Sequence, residues 1–520
     1  MSVNENENKP LEPEENETLG LEDTNEQVDV KTVTTEELAK AIESKDKAAL
    51  GKIFQEVNDI DIAEAADELD LRDLIVLFRD VRSELTAPLF DSLSQDTKEK
   101  LVKAMTDKEL VGLVNKQAAD DIADTVGDMP ANLAKRVIHA ADKDMREDIN
   151  QLLKYKPDSA GAIMTTEYLE FRENLSVEDT IEQVRKIGKE AETVYTIFVR
   201  NGKRKFVGTV DLDDLIFAKK DLKLADIMNR DAPSCHVNTD KEEVANTIQR
   251  YDLNALAVLN DDECLTGIVT VDDAVDVITD EANEDIEKMS AVSTLDDSYL
   301  ETHPLQMAKK CVPWIIVLLV LGTFSSMVLS IFQEKLTVLP VLAAFIPVLM
   351  DTGGNAGGQT IALMIRGLAL KEFDPKDFWK ILGREVVSAI IIAAGISAFA
   401  FIWFTMEQYT GIVHNTQADF MYRLEMGLAA DPEAFGTIWN GQCWSSGFAI
   451  QVFKVSAIVA GTLFITTIVS KIIAVTLPLL AAKFHKDPAI VSQPLLTTIV
   501  DVTSLLIYFG IAEVLVLQFL

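Results

Sequence analysis

The chain has 520 residues, 48 Lys and Arg against 84 Asp and Glu, and a formal net charge of −36. Residues 1–300 carry −34 of that charge and residues 301–520 only −2, so an acidic, water-compatible half is joined to a nearly neutral apolar one. The acidic half excludes a nucleic-acid partner, whose phosphates it would repel, and favours cations.

The four cysteines, Cys235, Cys264, Cys311 and Cys443, lie far apart without a CxxC pair, which excludes a disulfide framework and a zinc site. The N-terminus lacks a basic start followed by an apolar core, so no cleaved signal peptide is expected. No GxxxxGK[ST] motif is present, which argues against an ATP-driven pump. The chain is read as not an enzyme.

Residues 1–33 are rich in Glu and Asn with few large apolar side chains, and are expected to form a disordered acidic tail. Residues 34–158 show apolar positions at three- and four-residue spacing, as in LRDLIVLF and LVKAM, and predict a helical N-domain. DIAEAADEL from Asp61 parallels DIADTVGDM from Asp121, which suggests a small superhelical stack of helix pairs.

The period changes after residue 159. Short β-type runs, TVYTIFVR, KFVGTVD, ALAVLN and LTGIVTV, alternate with helical stretches. Gly208–Asp214 parallels Gly267–Asp273, so two tandem α/β modules are expected, at 159–225 and 226–278. Residues 279–305 form an acidic helical connection to the apolar half, 306–520.

Five apolar segments follow, at about 313–332, 337–364, 385–406, 452–482 and 489–519, each long enough for a hydrocarbon core of about 30 Å. Lys309 and Lys310, the 365–384 loop and Lys483 with Lys486 supply the basic connections, which places them in the cytosol. The acidic 407–451 loop then faces out. The expected topology is a multi-pass protein of the cytoplasmic membrane, N-terminus inside and C-terminus outside.

Asp501 lies near the middle of the fifth segment, with Thr497 and Thr498 one turn before it. A carboxylate at membrane depth is costly and usually marks an ion path. In the second segment, PVLMDTGGNAGGQT, bare backbone at Gly354 and Gly357 would expose carbonyl oxygens, and Asn355 and Gln359 add amide oxygens. Oxygen-only ligands select a hard cation such as Mg²⁺ or Ca²⁺. Lys471 lies about 18 Å from the inner boundary and Asp351 about 22 Å, by helical rise. An unpaired lysine there would cost about 2.5–3.5 kcal/mol, so a buried Asp351–Lys471 ion pair is expected.

Two acidic runs stand out before the membrane segments. Asp120, Asp121 and Asp124 share one helical turn, and Asp273, Asp276, Asp280, Glu281, Glu284 and Asp285 follow at mostly three- and four-residue spacing. Stacked carboxylates repel, and a bound cation would relieve them.

The stretches YKPDSAGAIMTTEY, GIVTVDDAVDVITDEANEDI, PVLMDTGGNAGGQT and DPAIVSQPLLTTIVDVTSLLIY resemble the MgtE-type magnesium channels. The resemblance covers nearly the whole chain, in the same order of parts: helical N-domain, tandem cystathionine-β-synthase-type (CBS) modules, a connecting helix and five spans. It implies a passive Mg²⁺ channel acting as a homodimer in membrane lipid, with Asp501 of each subunit at an axial pore. It also implies regulatory Mg²⁺ bridging at Asp120, Asp124, Asp252, Asp273, Asp276, Glu281, Glu284, Asp285 and Asp487, with the pore closed when cytosolic Mg²⁺ is plentiful. Thr270 and Asp273 form a Thr-x-x-Asp pair that holds the ribose of an adenine nucleotide in some CBS modules. Three departures are visible: Gln493 and Gly358 stand where the family commonly has Asn, and the 407–451 loop is long. The rival readings are a membrane-anchored CBS sensor and a cation-coupled metal transporter.

Overall fold

The structure is a computed structural model that describes residues 32–44, 47–293, 302–333, 341–410, 438–439, 442–443, 446–484, 486–491 and 493–514. The acidic tail and most of the 407–451 loop lie outside these residues. The chain divides into two units, Met1–Ala274 and Val275–Leu520.

The first unit opens with ten short helices, from α1 (Thr35–Glu43) to α10 (Lys143–Leu152). Thr34 caps α1 and exchanges hydrogen bonds with Glu37, so two otherwise orphan amides are satisfied. The helices stack in an overlapping series, α3 (Asp59–Asp67) on α5 (Ser83–Asp91), α5 on α7 (Asp107–Val114), and α8 (Ala119–Gly127) on α10. Polar ties repeat along the stack at a regular spacing: Asp67 accepts from Ser94, Glu109 from Arg79, and Asn115 from the amide of Asp142. The DIAEAADEL and DIADTVGDM segments fall on α3 and α8.

The two α/β modules follow with the same topology. In the first, β1 (Glu170–Arg172) pairs parallel with β2 (Thr196–Arg200), which pairs antiparallel with β3 (Phe206–Asp211). Between them run α11 (Val177–Ile187) and, after β3, α12 (Leu212–Phe217) and α13 (Leu224–Ile227). The second has β4 (Ser234–His236), α14 (Lys241–Tyr251), β5 (Ala255–Leu259) and β6 (Leu265–Thr270) in the same order. The repeat extends to register: Val199 faces Gly208 and Val258 faces Gly267, and each sheet slips one residue later. Phe198 packs with Ala255, Ala257, Leu265 and Ile268, which joins the modules.

A long helix, α15 (Val271–Met289), starts directly after β6 and crosses into the second unit. That unit then holds α16 (Pro304–Ile331), the short α17 (Val341–Ala344), α18 (Ile346–Ala369), α19 (Phe378–Thr410), α20 (Ser446–Lys483) and α21 (Gln493–Ala512). Among the described residues four helices are long and apolar enough to cross a membrane, those at Pro304–Ile331, Pro375–Gln408, Val452–Lys483 and Gln493–Ala512. The expected second span forms α18, a 24-residue helix whose glycines, Asp351 and Arg366 lower its hydropathy. Its place in the bundle is central: it packs on α20 and α21. In α20 61% of the most apolar window is buried, against 11% in α16, so α20 is the hub and α16 shows its apolar surface outward. The third span runs further than 385–406. It continues through Glu407 and Gln408, both buried, and Gln408 donates to Ser456 Oγ at 3.0 Å.

Candidate pore and cation-binding sites

Helix α18 has two faces of opposite character. Gly353, Gly354, Gly357 and Gly358 are buried, whereas Asp351, Asn355 and Gln359, one turn apart, are exposed. The buried face is a close-approach surface. A Cβ on Gly353 would lie 2.9 Å from Thr466 and from Val500, and one on Gly357 would collide with Ser470 and sit 2.9 Å from Leu496. The same packing holds at Gly354 and Gly357, the two glycines expected to offer bare backbone to an ion path. Gly354 lies against Thr497 and Gly357 is pressed between α20 and α21. The opposite, exposed face carries the polar stripe Asp351–Asn355–Gln359, in which Asn355 Nδ2 donates to Asp351 Oδ2 at 3.1 Å.

Asp501 is half-buried in the middle of α21, with Thr497 one turn earlier. The hydroxyls of Thr497 and Thr498 both donate to the Pro494 carbonyl at 2.9 Å. Their protons are therefore committed, and their oxygens keep lone pairs for a cation. Among the described residues no cationic side chain pairs with Asp501 or Asp351. The two departures Gly358 and Gln493 meet each other: a Cβ at Gly358 would lie 2.8 Å from Gln493 Nε2, so the longer amide occupies space that the missing side chain vacates.

The expected Asp351–Lys471 pair is not formed. Lys471 is 3% exposed and donates to Glu385 Oε1 at 2.8 Å and to Thr360 Oγ1 at 2.7 Å. Thr360 in turn donates to Glu385 at 2.9 Å. The reason is reach. Glu385 lies about two turns inside α19, roughly 10 Å from its start, and the long lysine stem extends down to it.

The carboxylates of the first unit assemble through the segment after α10. Thr165 exchanges backbone hydrogen bonds with Ile268 of β6, at 2.8 and 3.0 Å, and its hydroxyl donates to Asp120 at 3.2 Å. This brings the acidic first turn of α8 to the acidic first turn of α15. Burial first, then Asp121, pushes Asp120 up to about 8, with Asp273 and Glu192 adding to it. Burial and then Asp91 push Asp121 up to about 7. Burial and then Asp273 push Asp124, whose side chain still reaches solvent, up to about 6. Lys98, 4.0 Å from Asp91, acts on Asp124 in the opposite sense.

A second acidic joint lies within the other unit. Lys288 near the end of α15 reaches Glu284 at 2.5 Å and Asp487, just before α21, at 2.7 Å. Burial and then Asp487 raise Asp285 to about 6. Met289 packs against the cluster of Ile361, Ile365, Ala489, Leu496 and Val500, which fixes the end of α15 to the base of α18 and α21.

Comparison with known proteins follows these parts. The MgtE family, described as a divalent cation transporter, matches residues 346–511; its intracellular N domain matches 57–158, and a CBS domain matches 224–280. "Magnesium transporter MgtE" of Thermus thermophilus is 30% identical over 482 residues, covering 92% of this chain and 97% of that protein. The chain belongs to the MgtE family. The Bacillus subtilis protein of the same name is also 30% identical, over 86% of this chain and 97% of its own. A crystal structure of the cytosolic domain of the Mg²⁺ channel MgtE in complex with ATP shares 31% identity, covering 47% of this chain and 99% of its own, at a TM-score of 0.44.

Within this MgtE chain the structure gathers Asp120, Asp124 and Asp273 in one group and Glu284, Asp285 and Asp487 in another. Glu281 acts on Asp285, and Asp276 lies exposed on α15. Asp252 stands apart: it is exposed and closes α14 in a left-handed conformation with φ +53°. Thr270 Oγ1 donates to Asp273 Oδ2 at 2.6 Å, so the Thr-x-x-Asp pair is formed. Sequence reasoning missed Asp91, Glu192, Lys288 and Glu385. The first two lie on distant elements and carry no local signal. Lys288 is one turn after Glu284, an i,i+4 spacing that could have revealed it.

Proposed function

We propose that this MgtE-family protein is a passive Mg²⁺ channel of the cytoplasmic membrane, assembled as a homodimer in lipid. The observation that carries the reading is Asp501: a half-buried carboxylate in a membrane helix, beside Thr497 with its lone pairs free, next to the Asp351–Asn355–Gln359 stripe, with no cationic partner among the described residues. An intramembrane carboxylate without an internal counter-charge is completed by a mobile cation. Gly354 and Gly357 support the site by letting α21 approach, and Thr498 and Gln359 contribute oxygens. The relatives named as magnesium transporters support Mg²⁺ as the cargo. Mg²⁺ uptake by proteoliposomes, with and without a proton or sodium gradient, tests the reading. Uptake that needs such a gradient makes the protein a coupled transporter, and no uptake leaves a CBS sensor.

The same reading makes the cytosolic carboxylates a sensor. Mg²⁺ binding at Asp120, Asp124 and Asp273, and at Asp276, Glu281, Glu284, Asp285 and Asp487, would stabilise the closed channel and shift the population toward it. Neutralising Glu281, Glu284 and Asp285 together is expected to leave a channel open at Mg²⁺ levels that shut the parent, and to weaken Mg²⁺ protection against protease. The charge of the connections supports an N-terminus inside and a C-terminus outside, which labelling of single cysteines on intact cells would check. An adenine nucleotide at Thr270 and Asp273 is a separate proposal, checked by equilibrium binding of labelled ATP.

A further inference from the structure

The glycine face of α18 lets neighbouring helices come close, but it carries almost no side chains that could fix the helix in rotation. Two consecutive residues of α20 do so instead. Ser470 Oγ donates to the Gly353 carbonyl at 2.7 Å, and Lys471 Nζ donates to Thr360 Oγ1 at 2.7 Å. These two grips lie two turns apart on α18 and bracket Asn355 and Gln359. Glu385 of α19 completes the second grip, accepting from both Lys471 and Thr360. Three helices thus meet at one triangle of hydrogen bonds on the side of α18 turned away from its polar stripe. The triangle is also neutral, so the ammonium of Lys471 presents no net charge to a cation passing that stripe.

We infer that Lys471, Glu385 and Thr360 form a positioning clamp for ion conduction, which sets the rotation of α18 and cancels the Lys471 charge beside the path. The inference rests on the Mg²⁺ channel reading above. It differs from a plain packing role in two ways. A helix free to turn presents Asn355 and Gln359 differently and alters discrimination among ions. An ammonium left without Glu385 opposes divalent cations from behind the helix, an effect that a second neutralisation reverses.

The test is divalent flux into proteoliposomes, counted per folded protein, with Mg²⁺ and Ca²⁺ measured separately. Glu385→Gln is expected to lower Mg²⁺ flux by at least about tenfold and to change the Mg²⁺-to-Ca²⁺ ratio, because it leaves a buried charge unpaired. Lys471→Met is expected to have a smaller effect, and Glu385→Gln with Lys471→Met to recover much of the flux. Lys471→Arg should keep the parent ratio. Thr360→Val retains both charges, folds if the pair alone suffices, and should still shift the ratio. An unchanged ratio in Thr360→Val and both single charge variants overturns the clamp, as does a double variant no better than the worse single one. Asp501→Asn runs alongside: normal flux there overturns the pore reading itself, whatever the clamp variants do.

Discussion

Two groups of charges in this protein are handled in opposite ways. Around α8, the carboxylates Asp91, Asp120, Asp121, Asp124, Glu192 and Asp273 act on one another, and Lys98 offsets part of this at Asp124. Around α20, Lys471 has its carboxylate, Glu385, and a hydroxyl that ties both together. The first group is incomplete in that like charges meet there and raise one another. The second is complete, ammonium against carboxylate, and its charges belong to the architecture. Asp501 and Asp351 sit in the membrane segments with no cationic partner among the described residues. Completeness of charge, more than depth, separates a candidate ion site from a structural one here.

The strongest way to break this comparison is at Asp501. Asp501→Asn removes the carboxylate charge at unchanged shape, and Mg²⁺ flux is expected to fall to background while the protein still elutes as a folded species on gel filtration. Next in size is Glu385→Gln in the complete group. Leaving Lys471 buried and unpaired should cost about 3–5 kcal/mol, read as a lower unfolding midpoint in detergent. A midpoint unchanged from the parent would place Lys471 among the incomplete charges.

The incomplete group should respond to pH, and the direction follows from its raised carboxylates. Asp120, Asp121 and Asp124 hold protons up to about 8, about 7 and about 6, whereas the separated chain releases them near 3.8. Their contribution to the contact between N-domain and CBS modules is full below that lower value and is lost as pH rises through the higher ones. In chelator, protease sensitivity of the segment after α10 should therefore increase between about pH 5.5 and about pH 8.5, and Mg²⁺ should reverse it. Asp120→Asn with Asp121→Asn should flatten that dependence. The smallest effect is expected at Lys288, which already partners Glu284 and Asp487. Lys288→Ala leaves Glu284, Asp285 and Asp487 with less positive charge beside them, so the Mg²⁺ concentration for half-maximal protection should fall there by about two- to three-fold, the scale of a partly exposed ion pair.

Much of this was legible in the sequence. The change of period at residue 159 and the paired Gly208 and Gly267 segments led to two modules whose strands match in register. Asp501 stood out because carboxylates are rare at membrane depth. The role of the glycines was not legible, since a run of glycine in a span reads equally as open backbone and as close packing. The positions of Ser470, Leu496 and Thr497 show the close packing. Lys471 was conspicuous, but its partner was hidden by treating Glu385 as the edge of a span. The helix starts at Phe378, which puts Glu385 inside it. Asp91 and Glu192 join the acidic group through tertiary folding alone.

The regular ties of the N-domain carry one more consequence. Ser94 bonds Asp67, Arg79 bonds Glu109, Asn115 bonds Asp142 and Gln117 bonds the Ala87 carbonyl, each spanning 27 to 30 residues of chain. Every such link closes as soon as a short further length of polypeptide has emerged. A chain wired this way folds unit by unit, each new pair of helices docking on the one before it. During synthesis the N-domain can consolidate on the ribosome while the apolar half is still unmade, so the carboxylates of α8 are in place before any membrane helix is made.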